Sequence, residues 1–144
     1  MSVNNWLDRK VHEYNQEKID LSILKDLIFD LEISIPKKII SIVGTNGKGS
    51  TANLISKILK DNFYSIGLYT SPHLINYNER IGINGKNIED EVLKKYFLKI
   101  EKKIKNRKLN FYQMLSLTAF KYFSDNKLDI WVLEAGLGGR LDPI

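Results

Sequence analysis

The sequence predicts an α/β fold, a doubly wound and mainly parallel sheet that carries a phosphate-binding loop. Three observations lead there. An apolar run, Ile39-Ile40-Ser41-Ile42-Val43, empties into a glycine-punctuated turn with one lysine and then into a helical pattern. Apolar strand-like runs alternate with amphipathic helical stretches along the chain, the signature of a sheet with helices on its faces. A late run, Ile130-Trp131-Val132-Leu133, is apolar throughout and flanked by Asp129 and Glu134, as expected of a parallel strand covered on both sides.

Taken in order, residues 5–14 and 21–31 read as two short amphipathic helices. In the second, Leu21, Leu24, Leu27, Ile28 and Leu31 recur at helical spacing and predict core contact. Pro36 breaks the pattern before a first strand over residues 38–43. Residues 50–61 are helical, with Leu54, Ile55, Ile58 and Leu59 on one face. Residues 65–70 then form a second strand, completing a βαβ unit of the right length for a parallel pair. Residues 71–87 are irregular, with Pro72, three asparagines before Gly85 and a possible hairpin near 81–85. A long helix follows, its stripe made of Val92, Tyr96, Phe97, Ile100 and Ile104. Its other face carries Lys94, Lys95, Lys99, Lys102, Lys103 and Lys105. Residues 114–123 form another helix, and residues 129–134 the last strand. That strand is expected to present an uncovered edge or face.

The chain has 144 residues, enough for one domain with a real core. Hydrophobic residues make up 43% and charged ones 27%, which excludes disorder as the reading. There is no cysteine, hence no disulfide framework, thiolate metal site or thiol nucleophile. No apolar run approaches the ~20 residues of a membrane helix, and residues 1–10 lack the apolar region of a signal peptide. The expectation is a cytoplasmic protein without a membrane partner. A net charge of +5 suits an anionic ligand. The lysines between Lys94 and Lys108 are opposite the aromatics Tyr96 and Phe97, which marks a solvated helix face rather than a nucleic-acid surface.

The chemistry concentrates in Gly44-Thr45-Asn46-Gly47-Lys48-Gly49-Ser50. A strand delivers this loop to a helix N-terminus, where free backbone N–H groups and the helix dipole face an anion. Glycines let the backbone approach a polyphosphate, Lys48 adds a point charge, and Ser50 or Thr51 offers a hydroxyl to magnesium or phosphate. The spacing departs from the commonest P-loop. Ile42 stands where its first glycine would be, and Gly49 separates Lys48 from Ser50. A glycine-rich turn without a ligand is the competing reading. In open α/β sheets ligands bind at the carboxyl ends of the strands, and three segments arrive there: residues 44–50, 70–73 and 134–142.

Four blocks together resemble one family. The 44–50 loop resembles the nucleotide loop of the Mur-type ligases. Tyr69-Thr70-Ser71-Pro72-His73-Leu74, Asn78-Glu79-Arg80-Ile81 and Leu133-Glu134-Ala135-Gly136-Leu137-Gly138-Gly139-Arg140-Leu141-Asp142 are similar to the folylpolyglutamate synthase/dihydrofolate synthase branch. The resemblance runs over nearly the whole chain but covers roughly the first third of such an enzyme. It implies a Mur-ligase-like central ATP-binding domain, present in part over residues 1–144, with the C-terminal ligase domain absent. The implied activity is ATP-dependent ligation of L-glutamate to folate or dihydropteroate through an acyl phosphate, with ATP and Mg²⁺ as cofactors. Lys48, as the catalytic residue, would neutralise the β- and γ-phosphates, and residues 45–50 would cradle them. Ser71 and Glu134 would hold the magnesium. Without the resemblance Ser71 would read as the start of a turn, and Glu134 as a capping or salt-bridging acid.

Substrate contact falls, by the same resemblance, to Asn110, Phe111, Tyr112 and Gln113, where glutamine replaces the family's acid, and to Leu141 and Asp142. His73, beside this metal site, reads as solvent-facing. The family's third metal ligand (a histidine), its carbamylated lysine and its glutamate-binding domain have no counterpart among the 144 residues. Isolated inactivity and a complementing C-terminal polypeptide are therefore expected. The alternatives are a non-catalytic truncated remnant and a fragment of a related Mur-type ligase acting on cell-wall precursors.

Overall fold

The computed structural model describes residues 2–14, 21–104, 107–136 and 142–144. Its elements are α1 (Val3–Glu13), α2 (Ser22–Asp30), β1 (Lys38–Ile42), α3 (Lys48–Asp61), β2 (Ile66–Tyr69), a 3-10 turn (Tyr77–Arg80), β3 (Ile81–Ile83), β4 (Lys86–Asn87), α4 (Asp90–Ile104), α5 (Phe111–Asp125) and β5 (Ile130–Glu134). They form one five-stranded sheet in the order β1-β5-β2-β3-β4. β5 pairs in parallel with both β1 and β2, while β3 and β4 extend the β2 side as antiparallel strands.

The parallel, doubly wound reading is therefore correct, but the partnering expected from chain order is not. β1 and β2, on either side of the α3 crossover, are not neighbours, because β5 lies between them. Nor is β5 an edge strand. All five of its residues are buried. A strand without a polar face is most stable where both faces and both edges are covered, and the centre of the sheet supplies all four. The sheet ends instead at β1, whose residues are exposed or half-buried.

Helices cover the two faces unequally. On one, α5 and α4 with α1 and α2 build the larger core, centred on Leu7, Leu27, Phe97, Leu117, Phe123 and Trp131. Trp131 stacks on Phe120, with ring centroids 5.5 Å apart at 12°. On the other, α3 alone buries Ala52 against Ile66, Ile130 and Val132. The stripe predicted for α3 is thus rotated. Ile55 and Leu59 pack on the sheet as expected, but Leu54 and Ile58 are 60% and 53% exposed. Small Ala52 and Ser56 take the contact positions, which lets the helix lie close to the strands.

Helix α5 begins three residues before the expected Met114. Asn110 accepts from the Gln113 N–H, and the Gln113 side chain accepts from the Asn110 N–H, a reciprocal capping box. Its sequence signal, Asn followed three residues later by Gln, precedes the apolar run. Among the described residues no helix is long and apolar enough to cross a membrane.

Candidate active site

The loop between β1 and α3 does what its glycines require. Gly44 has φ +150° and Gly47 φ +73°, the latter a left-handed N-cap that L-residues with side chains adopt only at a cost. α3 opens directly on Lys48, so its first N–H groups point back into the exposed loop without helical partners. Lys48 folds over the turn, its Cγ 3.9 Å from where a Gly44 Cβ would stand.

Glu134, the last residue of β5, reaches this loop. Its Oε2 is 3.4 Å from the position of a Cβ on Gly49 and accepts the Ser71 N–H at 3.0 Å. The carboxylate is 3% exposed, and among the described residues no basic group forms an ion pair with it. A buried carboxylate in that position calls for a cation. Gly136 adds the other side: a Cβ there would meet Ser71 Oγ at 3.4 Å and Asp142 Oδ2 at 3.6 Å. Gly49, Ser71, Glu134 and Asp142 thus converge although 93 residues separate the first from the last. Two hard oxygen donors beside a phosphate loop fit magnesium, which retains waters and takes few protein ligands. No group of three or more His, Cys, Asp or Glu residues placed to hold a metal occurs among the described residues.

Next to this corner opens a cavity of about 270 Å³, walled by Tyr69, Ser71, Arg80, Asn110, Tyr112 and Asp142 among others. Of the residues expected to contact substrate, Asn110, Tyr112 and Asp142 line it. Phe111 is 2% exposed within the core, and Gln113 is engaged in the capping box. Leu141 lies outside the described residues, as do residues 137–140 of the glycine-rich block.

Arg80 is the residue that sequence reasoning missed. It is 6% exposed, its guanidinium carbon lies 5.9 Å and 5.8 Å from the Tyr77 and Tyr112 ring centroids, and its Nε donates to His73 Nδ1 at 2.8 Å. It forms no ion pair among the described residues. The only signal was its place in the Asn78-Glu79-Arg80-Ile81 block. His73, expected to face solvent, instead packs on Tyr77 with centroids 4.3 Å apart. Burial, then the neighbouring Arg80 charge, holds its pKa below the ordinary 6.5. Glu79 fixes the loop from below, accepting from the N–H groups of Leu74, Ile75 and Asn76. The Leu74 N–H contributes most to holding its carboxyl below the usual range.

No family model matches the chain. Among curated proteins, it is 43% identical over 135 residues to a dihydrofolate synthase/folylpolyglutamate synthase of Buchnera aphidicola subsp. Schizaphis graminum, covering 88% of this chain and 32% of that protein. The Escherichia coli K12 protein of the same name is 31% identical over 141 residues, covering 96% and 33%. The chain is similar to the N-terminal portion of dihydrofolate synthase/folylpolyglutamate synthases. Solved synthase structures agree. The Yersinia pestis bifunctional enzyme superposes with a TM-score of 0.91 at 33% identity, over 99% of this chain and 36% of that one. An E. coli enzyme crystallised with DHPP and ADP gives 0.91 at 29%, over 99% and 35%. A further Y. pestis synthase structure holds AMPPNP and a Mn ion. The chain therefore spans about a third of the length of these synthases.

Proposed function

We propose that this chain is the Mg-ATP-binding portion of an ATP-dependent ligase that joins L-glutamate to folate or dihydropteroate, and that residues 1–144 make up part of its ATP-binding domain. The observation carrying the proposal is the buried Glu134 carboxylate, which stands beside Gly49 of the loop and accepts the Ser71 N–H, with no ion-pair partner among the described residues. A magnesium ion held there by Ser71 and Glu134 would supply charge neutralisation beside the phosphate loop.

In the proposed reaction a substrate carboxylate oxygen attacks the γ-phosphorus of ATP, the bond to the β-phosphate oxygen breaks, and ADP leaves. The amine of glutamate then attacks the acyl carbon and phosphate departs. Phosphoryl transfer asks the protein mainly for position and charge neutralisation. Lys48 and the N–H groups at the start of α3 hold the phosphates. Ser71 and Glu134 hold magnesium, which when bound neutralises charge building up on the phosphate oxygens. Asn110, Tyr112, Asp142 and Arg80 wall the cavity that takes the pterin-bearing substrate, and the carboxylate to be activated faces the Ser71 corner. The residues that would hold the amine are proposed to lie outside residues 1–144, in the remainder of the ligase or on a complementing C-terminal polypeptide, and the proposed compartment is the cytoplasm.

Calorimetric titration with Mg-ATP tests this. Lys48→Ala should weaken binding at least tenfold, whereas Lys102→Ala and Lys103→Ala, on the solvated face of α4, should leave it unchanged. Equal and negligible heats for the parent chain and Lys48→Ala would sink the proposal.

A further inference from the structure

Arg80 carries a buried charge that meets no counter-ion among the described residues. The acids around its loop are committed elsewhere. Glu79 accepts the N–H groups of Leu74, Ile75 and Asn76, and Asp8 accepts the Tyr77 hydroxyl. A guanidinium so placed is costly unless an anion comes to it. The side chain is also held in one pose. Its Nε is spent on His73 Nδ1, and the rings of Tyr77 and Tyr112 flank the guanidinium carbon at 5.9 and 5.8 Å. That leaves the terminal amino groups, a planar fork matched to a carboxylate. The Tyr69 hydroxyl also stands beside the guanidinium, but one oxygen does not fill that fork.

Its position is tied to the Ser71 corner. The Thr70 N–H donates to the Arg80 carbonyl at 3.0 Å, and the Arg80 Nε reaches His73, so the residue is bonded on either side of Ser71-Pro72. Arg80 and Ser71 wall the same cavity of about 270 Å³, and among the described residues of that wall Arg80 is the only cation. A substrate carboxylate brought to this corner meets the Glu134 carboxylate and, in the proposed reaction, the γ-phosphate. A cation on the cavity side offsets that repulsion. We propose that Arg80 receives the substrate carboxylate that becomes phosphorylated, one terminal amino group to each oxygen. The oxygen nearer Ser71 attacks the γ-phosphorus and ADP leaves. Arg80 keeps the other oxygen, which becomes the carbonyl of the acyl phosphate. Because Tyr77 and Tyr112 fix the plane of the fork, the carboxylate is presented in one orientation. This rests on the pterin-bearing substrate of the proposed function and names the residue that reads its acid group.

The test sets each acid against its neutral amide: pteroate against pteroic acid amide, and 4-aminobenzoate against 4-aminobenzamide. Affinities for the 144-residue chain come from calorimetry, and the Arg80 Nε–H resonance in NMR reports contact. The parent should prefer each acid at least tenfold, and the acids, not the amides, should shift the Arg80 signal. Arg80→Gln should weaken the acids at least tenfold and leave the amides unchanged, while Arg80→Lys should retain part of the preference. An arginine with a merely structural role would weaken acid and amide alike, and that result overturns the proposal. So does an acid preference that survives in Arg80→Gln, equal binding of acid and amide by the parent, or no binding of either acid. Circular dichroism checks folding; should Arg80→Gln unfold, the parent's acid preference and its Arg80 shift decide. The two readings fail separately. Arg80-dependent, acid-selective binding of 4-aminobenzoate, with pteroate bound no more tightly, would keep the Arg80 assignment and remove the pterin-bearing substrate. Tight pteroate binding with no preference over its amide would do the reverse.

Discussion

As the proposed magnesium ligands, Glu134 and Ser71 would differ in what they bring to the cation, and that difference gives a ranking. A carboxylate contributes a full charge and a hydroxyl only a dipole, so Glu134→Gln should reduce the Mg²⁺ dependence of nucleotide binding more than Ser71→Ala does. Magnesium titrations of the two variants that overlay the parent would show that neither is a ligand. The position of the loop between β1 and α3, with its left-handed Gly47, was legible because the strand, the glycines and the helix start are consecutive in the chain. Arg80 was not, since nothing in its neighbours says that a charged side chain will be 6% exposed between two tyrosine rings. His73 shares that environment and provides a pH signature. Because folding holds its pKa below 6.5, the native state declines a proton that the unfolded chain accepts. Stability should therefore fall as pH drops through 6.5, and stop falling once pH passes the lower, folded-state value. Protonation would also turn the Nδ1 acceptor of the Arg80 bond into a donor. An NMR titration should show the His73 ring changing below pH 6.5, and His73→Gln should flatten this part of the stability profile. A midpoint at or above 6.5 would contradict the packing of His73 against Tyr77 and Arg80.

At the scale of single elements, boundaries followed local signals and faces followed packing. β1 and β2 begin and end within a residue or so of the apolar runs, whereas α5 starts earlier because Asn110 and Gln113 cap one another. Asn110→Ala should cost about 1 kcal/mol in chemical denaturation, the usual worth of an N-cap. Gln113→Glu, whose carboxylate can accept the same Asn110 N–H, should cost less than Asn110→Ala. The misplaced face of α3 has a different origin. Leu54 and Ile58 are as hydrophobic as Ile55 and Leu59, so periodicity alone could not choose between two overlapping stripes. Close approach to the sheet chose the stripe containing Ala52 and Ser56. Gly67 in β2 answers to the same demand for closeness on the opposite face. A Cβ there would stand 2.8 Å from Phe123 ring carbons and 3.0 Å from Leu128 Cδ1. Gly67→Ala should accordingly destabilise the fold by about 1–3 kcal/mol, the range for overpacking a tight core. A melting temperature unchanged within error would show that the Phe123 ring moves aside freely.

For the molecule as a whole, strand order was the least legible property. Chain order places β5 last, and a last strand reads naturally as an edge. Its burial on every side emerges only once Ile130, Trp131, Val132 and Leu133 compete with β1 for the centre. With Lys38 and Ser41 along it, β1 tolerates the margin better. The consequence is a stability gradient across the sheet. Opening β5 exposes two cores and breaks two parallel ladders, so its amides should exchange only through global unfolding. β2 also has partners on both sides and should follow closely. Opening β1 breaks one ladder and uncovers side chains that are already partly wet, a far smaller cost. Hydrogen exchange read by mass spectrometry on the isolated chain should therefore find β1 amides exchanging at least a hundredfold faster than those of β5. Each tenfold in that ratio corresponds to about 1.4 kcal/mol of difference in opening free energy. If β1 were instead as protected as β5 at high dilution, its outer edge would already be covered within the single chain, and β1 could not be the outermost strand of the sheet.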